Sequence, residues 1–370
     1  MESSRPPSLF CAYRDSPERR AALSEPPHGL SRYRLHGLDE FTRRGARVRH
    51  NLEREGRPAG WARAADNVVN SFLYKAGGYG GDFVSVLPSL REINAAEVVF
   101  STVDTVGIPL VLLQRARLVR PPIVYIAIGL PERLVQLRGA RMQGLYAGAL
   151  RKTRAIISYA ASEAQWLRDW LGPSGPPVHF IPFGVDVEAF RPDPERIPNV
   201  DVVSIGEDPR RDFELLATVG SRRPELRIRI VAGGANARRL GELPPNVEVE
   251  TDITLEDVRD RLAGARVVVL PVRENSYSGA TTVLLQAMAM AKPVIVSRTE
   301  AIAKGYGLED GVNCRLVEPG NAGALERAVV ETTTGAEDAV SLGIRARETV
   351  ERSLSWERHT DALWRVLSGS

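Results

Sequence analysis

Residues 273–297 read R-E-N-S-Y-S-G-A-T-T-V-L-L-Q-A-M-A-M-A-K-P-V-I-V-S, and the punctuation of that string decides the fold. It follows an apolar run at 265–271 (A-R-V-V-V-L-P) that has the length and β-branched content of a buried strand. Residues 276–282 are small or polar and predict a loop. Residues 283–291 are apolar nearly all round, which predicts a buried helix. Pro293 stops that helix, and Val294-Ile295-Val296 begins another strand. The loop has chemistry to offer. Gly279 and its small neighbours let a ligand approach the backbone. The helix N-terminus adds free N–H groups and a partial positive charge, which suit phosphate. Gln286 sits in the first turns, and side chains there lean back toward that end. The same residues also fit a plain β-α-β unit with Thr281 or Thr282 as the helix cap.

The 370 residues are enough for two domains, each with its own core. A hydrophobic content of 43% and a charged content of 26% are those of a soluble globular protein. The net charge of +3 is too small to argue for a nucleic-acid partner. Arg32, Arg34, Arg43, Arg44, Arg47 and Arg49 crowd the first third of the chain. They read either as a patch for an anionic acceptor or lipid surface, or as solvated helix faces. Cys11 and Cys314 are too few for a disulfide framework and form no metal motif, which fits a reducing cytoplasm. The five histidines have no ligand spacing, and no metal is expected. No apolar run approaches the roughly 18 residues of a membrane-spanning helix. The first seven residues lack the apolar core of a signal peptide.

Outward from the opening stretch, the elements alternate. Strands are expected at 8–13, 46–52, 97–101, 122–129 and 155–159, and again at 201–205, 227–232 and 247–249. Residues 14–29 read as a polar loop and 31–44 as a helix stopped by Gly45. Further helices are expected at 67–75, 103–113, 144–150, 162–171, 255–262 (capped by Thr254), 322–332 and 353–367. Residues 76–82 (A-G-G-Y-G-G-D) must be a loop. The pattern of strand, glycine-bearing loop, helix and strand at the start is Rossmann-like, and ligands of such sheets sit at strand C-terminal ends.

With these residues in hand, the chain resembles the retaining glycosyltransferases of family 4. Their donor-site pattern is Glu, seven residues, Glu, then Ala-Met-Ala, a small residue, Pro and a β-branched strand. Ala287-Met288-Ala289 and Pro293-Val294-Ile295 match it, while the two Glu positions are Ser278 and Gln286 here. The run H-F-I-P-F-G-V-D-V-E-A-F-R-P at 179–192 resembles the family's interdomain segment. Residues 301–320 resemble the segment after the donor site, with Cys314 at a glycine position. The resemblance implies a GT-B fold, two Rossmann-like domains facing across a cleft. An acceptor domain would span 1–195, a nucleotide-sugar domain 196–350, and a C-terminal helix at 351–370 would return to the first domain.

The resemblance also implies a function: a retaining, metal-independent hexosyl transfer from a UDP- or GDP-sugar to a small-molecule, lipid or glycan acceptor. The Arg- and Ala-rich composition suggests a bacterial enzyme, and the expected setting is the cytoplasm, extending to peripheral contact at the inner membrane face. Gly206 and Arg211 would hold the donor diphosphate, because a planar guanidinium donates to two phosphate oxygens at once. The other reading of Arg211 is a salt bridge to Asp208 or Asp212. Gly279, Ala280, Thr281, Thr282 and Gln286 would complete the donor site, with Gln286 on the ribose hydroxyls. Arg211, Glu274 and Ser278 are the candidate catalytic residues, Glu274 as a stand-in for the carboxylate missing at Ser278. Ile128 takes the place of a histidine usual in the family, which leaves Asp104 and Glu132 as the nearest polar side chains. The changed acidic positions also admit a catalytically silent GT-B partner protein. An epimerase or phosphorylase on the same fold is a third reading.

Overall fold

The computed structural model describes residues 7–26, 28–53, 60–277 and 279–369. The chain divides into two compact units, Met1–Ile181 with Thr360–Ser370, and Pro182–His359.

The first unit is built on six parallel strands: β1 (Ser8–Ala12), β2 (Arg47–His50), β3 (Val98–Ser101), β4 (Ile123–Ala127), β5 (Ala155–Ser158) and β6 (Val178–Phe180). Their order is β2-β1-β3-β4-β5-β6. Strands β3, β4 and β5 are buried at every position, as expected of parallel strands covered on both faces. The expected helix at 31–44 is broken. A 3-10 turn, Arg32–Leu35, is followed by His36 at φ 49° and Gly37 at φ 90°. That left-handed pair cannot continue a helix, and a new one runs Leu38–Arg43. The polar loop before it contains a short helix, Pro17–Ala22, whose first turn is capped by the Ser16 side chain. The helix expected at 67–75 begins earlier, at Gly60.

Part of the arginine-rich segment is tied into the fold, while Arg43, Arg47 and Arg49 are exposed. Arg32 is buried and bonds Asp39 at 2.7 Å and Glu40 at 3.0 Å. Arg43 pairs with Glu40 and Arg44 with Asp361. Trp364 of the final helix, Trp356–Ser368, stacks on Phe41 at 6.0 Å between centroids.

The second unit repeats the plan with β7 (Val200–Gly206), β8 (Ile228–Ala232), β9 (Val247–Glu250), β10 (Ala265–Leu270), β11 (Val294–Ser297) and β12 (Arg315–Val317). All pairings are parallel, in the order β12-β11-β10-β7-β8-β9. The chain runs outward from β7 to β9, then returns to lay β10 against the other side of β7. The buried helix after β10 spans Thr281–Ala289, two residues earlier at each end than its apolar run suggests. It ends because Ala291 takes φ 54° just ahead of Lys292 and Pro293. Thr254 and Asp257 form the expected capping box. A helix at Ala336–Ser353 went unread in the sequence, because its exposed face dilutes the apolar period.

Candidate functional site

In the second unit the strand order reverses between β7 and β10, and an open parallel sheet binds ligands at such a point, beyond the strand C-termini. Two loops leave the sheet there, 207–212 after β7 and 271–280 after β10. They are laced together. Asp212 N–H donates to Pro271 O at 2.9 Å, and Arg273 N–H donates to Arg210 O at 2.8 Å. Arg211 and Val272 form an antiparallel bridge between them. From the other side Asn236 Nδ2 donates to Glu207 O (3.2 Å) and Asp208 O (2.9 Å).

This lacing fixes Arg211. Its side chain is 2% exposed, yet Nε, Nη1 and Nη2 have no hydrogen-bond partner among the described residues. The acids beside it are otherwise occupied. Asp212 bonds Arg273 at 3.2 Å. Asp208 accepts from Tyr277 Oη at 3.1 Å and from Arg210 N at 2.8 Å. The salt bridge that the sequence allowed does not form. Burial lowers the Arg211 pKa to about 10, against an opposing pull from Asp208, so the group is a cation at neutral pH. A buried, unpartnered charge is costly unless something else satisfies it.

A second unsatisfied group lies at the start of the helix Thr281–Ala289. Thr281 Oγ1 is buried without a partner among the described residues, and Ala280, the cap residue, supplies no side-chain acceptor to the first turn. The free N–H groups of that turn attract anions for the same reason as Arg211 does. Gly279 brings the loop close to Asp208: a β-carbon there would lie 3.1 Å from the carboxylate. Thr282 is half-buried, and Gln286, one turn later on the same face, is buried. Glu274 is exposed, and its Oε1 accepts from Glu300 N at 3.0 Å, at the start of the short helix Glu300–Ala303. Ser278 lies outside the described residues. Sequence reasoning missed Asn236, which braces the loop, and Thr299, whose Oγ1 is fully buried and unpartnered just beyond β11. An isolated Asn or Thr carries no local signal of such a place.

In the first unit Asp104 is wholly buried and cannot present itself as a surface group. It accepts from Tyr125 Oη at 2.8 Å and Ile128 N at 3.2 Å, with Arg133 Nε at 3.9 Å. Glu163, also buried, accepts from Ser158 Oγ (2.6 Å), Gly129 N (2.8 Å) and Leu130 N (3.0 Å). Burial pushes Asp104 up to about 7 and Glu163 up to about 8. The two carboxyls hold the backbone N–H groups of Ile128, Gly129 and Leu130. Among the described residues no group of three or more His, Cys, Asp or Glu side chains is placed to hold a metal ion. No helix among them is long and apolar enough to cross a membrane.

The family described as Glycosyl transferases group 1 matches residues 204–334, the segment that contains both loops and the buried helix. The chain is 26% identical over 217 residues to the MMP alpha-(1->4)-mannosyltransferase of Mycolicibacterium hassiacum, covering 56% of this chain and 52% of that protein. It is 26% identical over 266 residues to the D-inositol 3-phosphate glycosyltransferase of Nocardiopsis dassonvillei, covering 63% and 58%. The chain thus spans about half the length of the curated relatives it matches. Among solved structures, sucrose-phosphate synthase from Thermosynechococcus elongatus superposes with a TM-score of 0.74 at 17% identity, covering 98% of each chain. Anabaena HepE, solved in complex with UDP and glucose, superposes at 0.68 with 14% identity, covering 98% of this chain and 100% of that one. The architecture, two six-stranded parallel sheets with helices, is that of the GT-B glycosyltransferases.

Proposed function

We propose that this protein is a glycosyltransferase that takes a hexose from a nucleotide-diphosphate sugar, with retention at the sugar carbon. The observation that carries the reading is the buried guanidinium of Arg211, which has no hydrogen-bond partner among the described residues and lies in the loop after β7, at the strand-order reversal of the second sheet. A diphosphate supplies what that cation lacks. Arg211 would donate to two of its oxygens, and the first turn of the helix Thr281–Ala289, with Thr281 Oγ1, would take others. These groups stabilise the charge that grows on the departing diphosphate, so the reading asks for no metal ion. Gln286 would bond the ribose hydroxyls as an amide, without the charge assistance of a carboxylate. The acceptor attacks on the face that the diphosphate leaves, and a leaving phosphate oxygen takes its proton. Such a mechanism needs no protein base, which makes the Ser at position 278 compatible with activity. UDP binding by HepE supports a nucleotide-sugar donor.

The test is calorimetric titration with UDP, GDP, ADP and TDP and their sugars, with and without Mg²⁺. One nucleotide family should bind independently of Mg²⁺. Arg211→Ala should weaken it by about 1.5–3 kcal/mol, the range for a charged hydrogen bond. Unchanged affinity in Arg211→Ala removes that residue from the site, and no binding by any nucleotide sinks the reading.

A further inference from the structure

Asp208 sends its carboxylate from the loop after β7 across to the loop after β10, and the fold holds it there. Arg210 N–H donates to Oδ1 at 2.8 Å, and Tyr277 Oη donates to the same oxygen at 3.1 Å. Its backbone oxygen accepts from Asn236 Nδ2 at 2.9 Å and from Arg211 N at 3.1 Å. Main chain and side chain are both fixed. The two groups that donate to the carboxylate, an amide and a phenol, are neutral, so they orient its charge without cancelling it.

That charge stands beside both groups assigned to the diphosphate. A β-carbon on Gly279 would lie 3.1 Å from Oδ1 and 3.3 Å from Oδ2, two residues ahead of the helix Thr281–Ala289. The charge also reaches the Arg211 guanidinium, where it opposes the effect of burial. In the free protein it therefore offsets part of the uncompensated cation. To a phosphate it is a like charge at close range, which is strongly unfavourable. The penalty grows with the charge of the ligand. A nucleoside diphosphate carries one more negative charge than the sugar nucleotide it comes from, once its freed terminal phosphate ionises near neutral pH. The neighbouring acid leans elsewhere: Cβ and Cγ of Glu207 lie 3.3 Å from where a β-carbon on Gly233 would stand.

We propose that Asp208 sets the preference of the donor site between intact donor and spent nucleotide. Its carboxylate weakens the binding of diphosphates in proportion to their charge, so the product leaves more readily than Arg211 and the helix alone would allow. The inference rests on the donor-site reading above and adds to it a residue that discriminates rather than binds.

The experiment is calorimetric titration of the full chain and of Asp208→Asn with UDP and UDP-glucose, and with GDP and GDP-mannose, at low and high salt. Asparagine keeps the Oδ1 acceptor for Arg210 N–H and Tyr277 Oη, so only the charge is removed, and thermal unfolding should not move. For the nucleotide that the parent binds, Asp208→Asn should bind the diphosphate about tenfold tighter and the sugar nucleotide by a smaller factor. Both gains should shrink at high salt. Glu207→Gln should produce a smaller change than Asp208→Asn. The inference alone is overturned if Arg211→Ala weakens nucleotide binding while Asp208→Asn leaves it unchanged or weaker. It is also overturned if diphosphate and sugar nucleotide gain equally, or if Glu207→Gln has the same effect. Absence of nucleotide binding in both parent and Asp208→Asn overturns the donor-site reading, and the inference with it.

Discussion

The guanidinium of Arg211 packs directly on Gly206, the last residue of β7, so closely that a β-carbon at 206 would stand 2.7 Å from Nη2. The backbone at Gly206 is not left-handed; the glycine is there for space. Gly206→Ala should therefore displace the guanidinium from its pocket while leaving β7 intact. Nucleotide affinity should fall by about 1 kcal/mol or more, with unfolding shifted only modestly. An alanine variant that binds as well as the parent would show that the Gly206–Arg211 contact does not set the geometry of the site.

Arg211 is also a place where stability has been yielded. Its charge is buried and unsatisfied in the free protein. Arg211→Met keeps the volume and removes the charge, so it should raise the free protein's stability by about 0.5–2 kcal/mol while abolishing nucleotide binding. Thermal unfolding with and without nucleotide reads both effects. A destabilised methionine variant would mean that the guanidinium is satisfied in solution by a partner of its own.

Thr281→Val tests the second unsatisfied group. The hydroxyl has no partner, so its loss should change stability by less than about 0.5 kcal/mol. Nucleotide affinity should drop by about 0.5–1.5 kcal/mol, one neutral hydrogen bond. If affinity holds and stability falls, Thr281 caps its helix through water and does not meet the ligand.

The buried pair Asp104 and Glu163 makes a pH prediction. Both pKa values are raised above their ordinary 3.8 and 4.5, to about 7 and about 8. The folded state thus holds these protons more tightly than the unfolded state does. Their contribution is fully present below the ordinary values and is lost as pH rises through the folded ones. The melting temperature of the first unit should fall between about pH 5 and pH 8 through this pair. Glu163→Gln, which can still accept from Gly129 and Leu130 and donate to Ser158, should flatten that fall. An unchanged slope would mean that Glu163 is ionised in the folded protein at neutral pH.

Some elements were legible because one local property fixed them. The run at 265–271 is too apolar to be anything but a covered strand, and β10 occupies 265–270 of it. Thr254 and Asp257 sit at capping-box spacing, and they cap. Where two local tendencies compete, the reading failed. Residues 31–44 have helical composition, but the left-handed turn at His36 and Gly37 is stabilised by contacts distant in sequence. His36 Nδ1 lies 3.0 Å from Tyr159 Oη, and Tyr13 Oη donates to Leu35 O. Glu274 is a candidate by its place along the chain, and the contact of its Oε1 with Glu300 N, at the start of Glu300–Ala303, has no signal in the local sequence.

The sequence by itself determined the two parallel sheets, since runs of Val, Ile and Ala without polar alternation can be buried only between layers. It also determined that a loop of small and polar residues precedes a buried helix, although that helix takes in Thr281 and Thr282 from the expected loop at 276–282. Only the tertiary structure decided the state of Arg211. From the chain alone, Asp208 and Asp212 are both near enough to neutralise it. The pairing of β7 with β10 lays residues 272–277 against 208–212, and Arg273 and Tyr277 then take the two acids. An ionic partner is chosen by distance in space and by competition, and neither quantity is written in the order of residues. That competition leaves the Arg211 cation buried and unpaired at the point where the sheet changes direction.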